Sequence, residues 1–154
     1  MSLIGVVITV VVFFGMEGVA WLAHKYIMHG FLWHLHEDHH RKDPSSFLEK
    51  NDYFFVIFAV PGILFLALGS FYPPAHYLLF VGIGISAYGL CYFLVHDVFI
   101  HRRLPFLRNS DNFYFRGIRK AHKVHHKHLD KEDGECFGML FVPFKYLKEA
   151  QKQA

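Results

Sequence analysis

Three long apolar runs constrain the fold of this chain more than any other feature. They extend from Leu3 to Ala23, from Tyr53 to Tyr72 and from Tyr77 to Val95. Each is close to the ~20 residues that an α-helix needs to cross the ~30 Å hydrocarbon core of a bilayer. A chain of 154 residues leaves little sequence to cover three such helices as a soluble core. We therefore expect an all-α integral membrane helical bundle.

The number of domains and of spans follows from the rest of the chain. The length predicts a single membrane-embedded domain, residues 1–154. The first run lacks a basic segment before it and a small-residue cleavage motif, so it is expected to be a retained span. The apolar stretch from Cys136 to Phe144 is short, and it leaves open a fourth transmembrane helix near Phe137. Its other interpretations are a lid or wall for a substrate, or packing against a helical cap.

The basic residues predict the orientation of the bundle. All sixteen Lys and Arg residues follow position 24, and none lies in residues 69–76. If the three runs span, residues 24–52 and 96–154 share the basic side, which is predicted to be cytoplasmic. We expect a multi-pass protein of the inner membrane. The net charge of +3, with acids interspersed, suits a face near anionic lipid and gives no reason to expect nucleic acid.

Ten of the thirteen histidines fall into four short boxes that form two matched pairs. In each pair an HxxxxH box precedes an HxxHH box, and all four boxes fall on the predicted cytoplasmic side. Clustered imidazoles at short spacing are typical of metal sites. The sequence therefore predicts a cytoplasmic histidine-rich helical cap that binds metal through His24, His29, His36, His39, His40, His96, His101, His122, His125 and His126.

The spacing within the boxes suggests how two metals share these ligands. In HxxHH the three imidazoles share one helix face, which can present two nitrogens to one metal and the third to its neighbour. In HxxxxH the imidazoles are about 140° apart on a straight α-helix. They are suited to different metals, or to a helix end that unwinds. Ten ligands are too many for one ion, and five each for two ions is the simplest division.

The ligand type leaves the metal open among iron, copper, zinc and nickel. Structural zinc would favour some cysteine, and the two cysteines, Cys91 and Cys136, form no CxxC motif. A site against lipid with apolar walls favours oxidation chemistry on a hydrocarbon. We therefore expect two non-haem iron ions that activate O₂.

Two acids are candidates to hydrogen-bond a ligand imidazole. Glu17 is a charged residue within the first run, and such residues usually face the protein interior with a partner. A structural polar contact is the alternative for Glu17. Asp97 lies inside the third box, and ligand imidazoles commonly donate their other N–H to a carboxylate. His34, His76 and His128 lie outside the boxes and are not assigned as ligands.

Other residues carry structural expectations. Asn51 and Asp52 are predicted to cap the second span. The segment from Arg108 to His128 is predicted to form a helix at the membrane surface. The small residues of the third run are expected either to line an apolar channel that ends at the metals or to allow close helix packing. They are Gly82, Gly84, Ala87 and Gly89.

The boxes and their surroundings also resemble a known family. The stretches Lys25–His40, His96–Arg103, Ala121–His126 and Phe137–Leu140 resemble the fatty acid hydroxylase superfamily of membrane non-haem di-iron, histidine-box enzymes. Within it, they are similar to the bacterial β-carotene hydroxylases. The likeness runs from about Glu17 to Tyr146. His34 stands where an aromatic residue is expected, a departure that leaves the ten boxed histidines intact.

The resemblance implies an oxidoreductase of carotenoid biosynthesis. Such a monooxygenase would use O₂ and two irons, with zinc possible in a preparation, and take electrons from ferredoxin and its reductase. It would hydroxylate carbon 3 of the β-ionone rings of a carotenoid drawn from the membrane lipid, converting β-carotene to β-cryptoxanthin and zeaxanthin. A carotenoid ketolase and a sterol or fatty-acid hydroxylase or desaturase share the histidine pattern. A metal transporter is the non-enzymatic alternative, although the spans hold few polar residues for a path.

Overall fold

The computed structural model describes residues 2–41, 46–106, 110, 112–132 and 134–152. Within these ranges every regular element is helical, as expected. A 3₁₀ turn (Pro73–Ala75) joins the second and third long helices. Two π-helical segments, π1 (Ala23–Phe31) and π2 (Phe93–Ile100), continue α1 and α4. The six α-helices are α1 (Leu3–Leu22), α2 (Trp33–His40), α3 (Asp52–Phe71), α4 (Tyr77–Tyr92), α5 (Phe113–His125) and α6 (Phe144–Gln151).

Three helices are long and apolar enough to cross a membrane, which confirms the expected bundle. They are Leu3–Phe31, Asp52–Phe71 and Tyr77–Ile100, and an 18-residue stretch within each has a mean hydropathy of 2.3, 2.4 and 2.1, respectively. Large apolar side chains on their outer faces are exposed, among them Val11, Ile63 and Leu90. Such continuous apolar surfaces are compatible with lipid rather than with water. Among the described residues no further helix of this kind occurs, and the backbone around Phe137 is irregular, so a fourth span is not found there.

Helix α4 lies at the centre of the bundle and packs against both α1 and α3. Glycines allow these close approaches, because a side chain would meet the neighbouring backbone. A Cβ atom on Gly82 would lie 2.6 Å from the backbone nitrogen of Leu66, and one on Gly84 would lie 2.8 Å from the carbonyl oxygen of Thr9. Gly82 and Gly84 therefore serve helix packing, which is the second of the two roles considered for them.

The cap at the histidine end of the bundle is formed by α2, π1, π2, α5 and α6. Helix α5 packs on α6 and on π2. It begins after Asn112, whose side-chain oxygen accepts hydrogen bonds from the backbone of Tyr114 and Phe115. The predicted helix from Arg108 to His128 is thus shorter in the structure, and Arg108, Asn109 and Asp111 lie outside the described residues. The buried face of α5 includes His122 and His125.

Candidate metal centre

The HxxxxH boxes lie on the two π-helical segments. His24 and His29 are both in π1, and His96 and His101 flank the turn of π2. In π2 the backbone N–H of His101 donates to the carbonyl oxygen of His96 over 2.9 Å, an i to i+5 bond. A π-turn widens the helix, so residues five apart come onto one face. The interpretation that these pairs reach different metals is therefore wrong, and the distorted helix end, the other alternative, is what the structure shows.

The HxxHH boxes divide their imidazoles between two groups in the expected way. On α2, His36 and His40 point into one group while His39 reaches the other. On α5, His125 joins the group of His36, and His122 joins the group of His39. His39, from the first half of the chain, therefore lies in the group formed mainly by the second half. His125, from the second half, lies in the group formed mainly by the first half.

Two compact groups of nitrogen atoms result. The first histidine group consists of His24, His29, His36, His40 and His125. The second histidine group consists of His39, His96, His101 and His122. In each group the candidate ligand atoms all lie within 4.8 Å of one another. His126 adjoins the second group, since its Nε2 lies 2.8 Å from Nε2 of His122. All ten boxed histidines are thus brought together, whereas His34 and His128 are exposed and His76 lies at the far end beside Gly69.

Hydrogen bonds fix the ring orientation of four imidazoles in the first group. In each case Nδ1 lies beside a carbonyl-type oxygen, which can only accept, so Nδ1 carries the proton and donates it. The acceptors are Phe137 O for His24 (2.9 Å), Leu129 O for His29 (2.8 Å), Glu135 O for His125 (3.0 Å) and the amide oxygen of Asn51 for His36 (2.6 Å).

The inward nitrogens of this group then carry lone pairs that face one another. Nε2 of His24 lies 3.0 Å from Nε2 of His36, and Nε2 of His29 lies 3.2 Å from Nε2 of His125. Because Nδ1 holds the proton in all four neutral rings, neither contact can be an ordinary hydrogen bond. A cation placed among these lone pairs turns the repulsion into coordination. The donor set therefore fits a metal ion.

The second group has the same inward arrangement with different outer partners. Nδ1 of His39 lies 2.8 Å from a carboxylate oxygen of Glu49, and Nδ1 of His96 lies 3.3 Å from a carboxylate oxygen of Asp97. Nε2 of His39 and Nε2 of His96 are buried, and neither has a hydrogen-bond partner among the described residues. A buried nitrogen without a partner is costly unless something binds it, and a metal ion satisfies that requirement.

The boxed histidines of α2 and α5 are held neutral, which is the state that binds metal. Burial, aided by neighbouring imidazoles, lowers the pKa of His36 to about 3 and that of His125 to about 2. Burial likewise lowers the pKa of His126 to about 4. The pKa values of His39 and His122 also fall well below the ordinary imidazole value, mainly through burial. At neutral pH these rings therefore offer lone pairs rather than charges.

Asp97 has the position expected of a partner for His96, and Arg103 holds it there. The guanidinium of Arg103 donates to Asp97 over 2.8 Å, to both carboxylate oxygens of Asp52 over 2.7 and 2.8 Å, and to the carbonyl oxygen of Phe47. Its hydrogen bonds to Asp52 and Asp97 raise the pKa of Arg103 above its ordinary value. Arg103 thereby links the start of α3 to π2.

Glu17 does not hydrogen-bond an imidazole as considered from the sequence. It makes a structural polar contact instead, which was the alternative. One carboxylate oxygen accepts from the backbone N–H groups of Met139, Leu140 and Phe141 over 2.8–3.1 Å. The other accepts from the hydroxyl of Tyr88 over 2.7 Å. Both oxygens are used by these four donors. Glu17 acts on the site through the chain, because it anchors the segment whose Phe137 carbonyl binds His24.

The segment after Cys136 packs against the cap, which was one of the alternatives for it. The Phe137 side chain is 3% exposed. Its ring centroid lies 5.5 Å from that of His24, 5.3 Å from that of His29 and 5.1 Å from that of His125. The ring therefore covers one side of the first group and shields its nitrogens from water.

Asn51 and Glu49 are functional candidates that the sequence patterns missed. Asn51 was expected to cap the second span, but its side chain binds His36 instead, and Asp52 accepts from the backbone of Glu49. These residues precede α3 without any spacing motif that relates them to a histidine box. Their role emerges only when α2 folds back against the start of α3.

An apolar cavity of about 320 Å³ lies among the three spans and reaches the first group at His24. All three spans contribute to its wall. Gly89 lines it, and Gly82, Gly84 and Ala87 are not among its lining residues. Its aromatic wall is formed by Phe54, Phe55, Phe58, Tyr88, Tyr92 and Phe93.

Comparisons with known proteins place the sequence among hydroxylases. The family model "Fatty acid hydroxylase" matches residues 9–147. A β-carotene hydroxylase of Pantoea ananas is 44% identical over 131 residues, 84% of this chain and 72% of that protein. One from Pseudescherichia vulneris is 38% identical over 140 residues, 91% of this chain and 78% of that protein. A chloroplastic β-carotene 3-hydroxylase of Gentiana lutea is 41% identical over 139 residues, 88% of this chain and 42% of that protein.

No solved structure matches the chain significantly. The family match covers most of the sequence, including all four histidine boxes and the segment that contacts them. The histidine groups and apolar helices described above fit a membrane enzyme that hydroxylates with the help of metal. The chain belongs to the fatty acid hydroxylase family.

Proposed function

We propose that this chain is a β-carotene 3-hydroxylase, a monooxygenase that converts β-carotene to β-cryptoxanthin and then to zeaxanthin. The names of its bacterial and plant relatives support the substrate. The observation that carries the proposal is the apolar cavity that lies among three membrane spans and ends at His24. A hydrocarbon dissolved in the bilayer can enter such a cavity without passing through water.

The cavity suits one end of a long molecule. Its volume of about 320 Å³ is near the lower end of the range of about 300–1,000 Å³ typical of ligand pockets. Aromatic side chains, among them Phe58 and Tyr92, offer flat surfaces to a cyclic end group. Ile63 and Leu90 line the cavity and are also exposed toward lipid. A β-ionone ring would occupy the cavity while the polyene remains in the bilayer.

The proposal assigns one iron to each histidine group, with His126 completing the second. When bound, iron supplies the chemistry of dioxygen activation. The net reaction replaces a C–H bond with a C–O–H unit, and the second oxygen atom leaves as water after two electrons and two protons are taken up. The outer hydrogen bonds of the imidazoles keep their inner nitrogens aimed at the metals. The apolar walls exclude bulk water from the reacting carbon. Zinc can replace iron in a preparation, because imidazole binds both.

The proposal also includes the electron donor and the membrane. Ferredoxin and its reductase would supply the electrons from the cytoplasm. The histidine groups lie at the end of the bundle that bears the basic residues, which supports a cytoplasmic orientation in the inner membrane. Reporter fusions test the orientation: a fusion in the loop Ser70–His76 should report the outer side, and one at the C-terminus the inner side. A C-terminus found outside would contradict it.

Expression in cells that accumulate β-carotene tests the activity. Aerobic cells with an electron donor should form β-cryptoxanthin and zeaxanthin on pigment chromatography, and cells with the His125→Ala variant should not. Keto-carotenoids instead would identify a ketolase. If no oxidised pigment forms, the carotenoid assignment fails, and a sterol or an acyl chain becomes the better substrate. A transporter is disfavoured, since Glu17 is bound to Tyr88 and the backbone rather than placed along a polar path.

A further inference from the structure

The two histidine groups differ in the charge of their outer hydrogen-bond partners. In the first group, four imidazoles donate to uncharged oxygens, three backbone carbonyls and the amide of Asn51. In the second group, His39 donates to the carboxylate of Glu49 and His96 to that of Asp97. The inward nitrogens are of the same chemical type in both groups. The groups therefore differ in the residues that accept the outward Nδ1–H hydrogen bonds.

These carboxylates lie where water weakens their charge little. The side chains of His39 and Glu49 are 1% and 6% exposed, and those of His96 and Asp97 are 3% and 14% exposed. A carboxylate that accepts the N–H of an imidazole makes the other ring nitrogen more basic, and hence a stronger metal ligand. Low exposure enlarges the effect, because the local dielectric constant is low.

Arg103 reduces this negative charge without cancelling it. The guanidinium pairs with Asp97 over 2.8 Å and with Asp52 over 2.7 Å, so one positive charge faces two carboxylates. The carboxylate of Glu49 lies behind His39, in the same group. Near the first group, Asp130 follows Leu129 but is exposed to solvent, where its charge is screened. The hydrogen-bond partners behind the second group are therefore the more negatively charged.

We propose that the two metal positions are unequal: the second histidine group holds its ion more tightly, and at a lower reduction potential, than the first. The number of imidazoles does not distinguish the groups in this way, because five converge in the first, and the four of the second are joined by the adjacent His126. The proposal rests on the proposed function only in assigning one ion to each group.

Zinc binding to the purified, metal-free full chain in detergent tests the difference in affinity. A competing chelator should resolve a tight and a weak step. Glu49→Gln keeps the length of the side chain and an oxygen for the N–H of His39 but removes the charge. It should weaken the tight step by about 10- to 100-fold and leave the weak step unchanged. Asn51→Asp is the matched converse, since it adds a charge behind His36, and it should strengthen the weak step.

Mössbauer spectra of the protein loaded with iron-57, recorded at stepped potentials, test the difference in reduction potential. The two irons should give separate signals and oxidise one after the other, and Glu49→Gln should bring the two oxidation steps closer together. Asp97→Asn provides a second variant of the same group if Glu49→Gln does not fold. It should shift the same step in the same direction.

Three results would overturn the proposal. In the first, removal of either carboxylate weakens both zinc-binding steps equally. In the second, Asn51→Asp does not strengthen the weak zinc-binding step. In the third, the two irons of the wild-type protein oxidise at the same potential. All of these readouts use the metal alone. A chain that binds two unequal ions but hydroxylates no carotenoid would therefore refute the proposed function and leave this inference standing.

Discussion

The Nε2 atoms of His24 and His36 face each other across 3.0 Å, and neither carries a proton. Each ring has its proton on Nδ1, where Phe137 O and the Asn51 amide accept it. Bringing two lone pairs this close opposes folding unless a cation lies near them. A metal ion bound between these nitrogens would replace the repulsion with coordination.

Removal of metal should lower the thermal stability of the protein. An ion that binds only the folded chain stabilises it by about 2.7 kcal/mol when its concentration is about 100 times Kd. We expect a lower Tm in detergent after chelation and recovery when Fe²⁺ or Zn²⁺ is restored. Ca²⁺, which prefers oxygen ligands, is the control ion and should not restore the Tm. An unchanged Tm after complete metal removal would contradict the role assigned to the histidine groups.

Loss of one boxed histidine should abolish activity. His39→Ala and His125→Ala each remove a ligand that crosses between the two halves, and we expect turnover to fall by more than about 100-fold, since changes to outer partners alone cost about 10- to 100-fold. Metal content should also fall below two ions per chain. His76→Ala, at the far end of the bundle, is the control and should retain both. Full activity after loss of any two boxed histidines would refute the assignment.

The metal-free protein should lose stability as the pH falls below about 6.5. Burial is the main cause that lowers the pKa of His36 to about 3, of His40 and His125 to about 2, and of His126 to about 4. Between about pH 6.5 and 4 the unfolded chain thus binds protons that the folded chain does not, so acidification favours unfolding. Tm measured in detergent from pH 7 to 5 should fall. A Tm that rises over this range would contradict the prediction.

A larger side chain at Gly89 should block the cavity without disturbing the helices. A Cβ atom at Gly89 meets nothing within 4 Å, and the residue lines the cavity. Gly89→Leu should therefore insert and bind metal normally but reduce carotenoid turnover by tenfold or more, a loss of about 1.4 kcal/mol or more in transition-state stabilisation. Gly15→Leu is the matched control, because Gly15 is also in open space but does not line the cavity. Equal turnover in the two variants would place the substrate elsewhere.

Replacement of Glu17 should destabilise the segment that covers the first group. Glu17→Ala leaves the backbone N–H groups of residues 139–141 without their acceptor, and unsatisfied buried groups cost about 1–3 kcal/mol each. We expect a loss of about 3 kcal/mol or more in the free energy of unfolding. Tyr88→Phe removes only the single bond to the other oxygen and should cost about 1–2 kcal/mol. If the two variants are equally stable, the anchoring role of Glu17 is wrong.

The sequence patterns predicted the elements that depend on composition and short spacing. The apolar runs predicted the three spans, and the i, i+3, i+4 spacing predicted that each HxxHH box divides two to one between neighbouring metals, but not that His39 is the one that differs. The π-turns at His24 and His96 were not predictable in this way, because periodicity arguments assume 3.6 residues per turn. Only the alternative of a distorted helix end came close.

The outer partners of the imidazoles depend on contacts between distant segments. Phe137 and His24 are 113 positions apart, and the acceptor is a backbone carbonyl that any residue could supply. The sequence therefore carries no mark of it. Asp97 could be predicted because it is adjacent to His96, whereas the Glu49 carboxylate reaches His39 through a fold of the chain. Gly84 and Gly89 look equivalent in the sequence, but the helix crossings place one against α1 and the other in the cavity.

The crossing of His39 and His125 between the groups has a consequence for biosynthesis. Four members of the first group lie between His24 and His40, whereas the fifth, His125, is synthesised much later. A nascent chain would thus present an incomplete set of nitrogens until the segment that carries His125 has been synthesised and has docked. Full metal loading would follow the meeting of the two halves, and a truncated or misfolded chain would remain underloaded. The metal content of the protein would thereby report whether the two halves have docked.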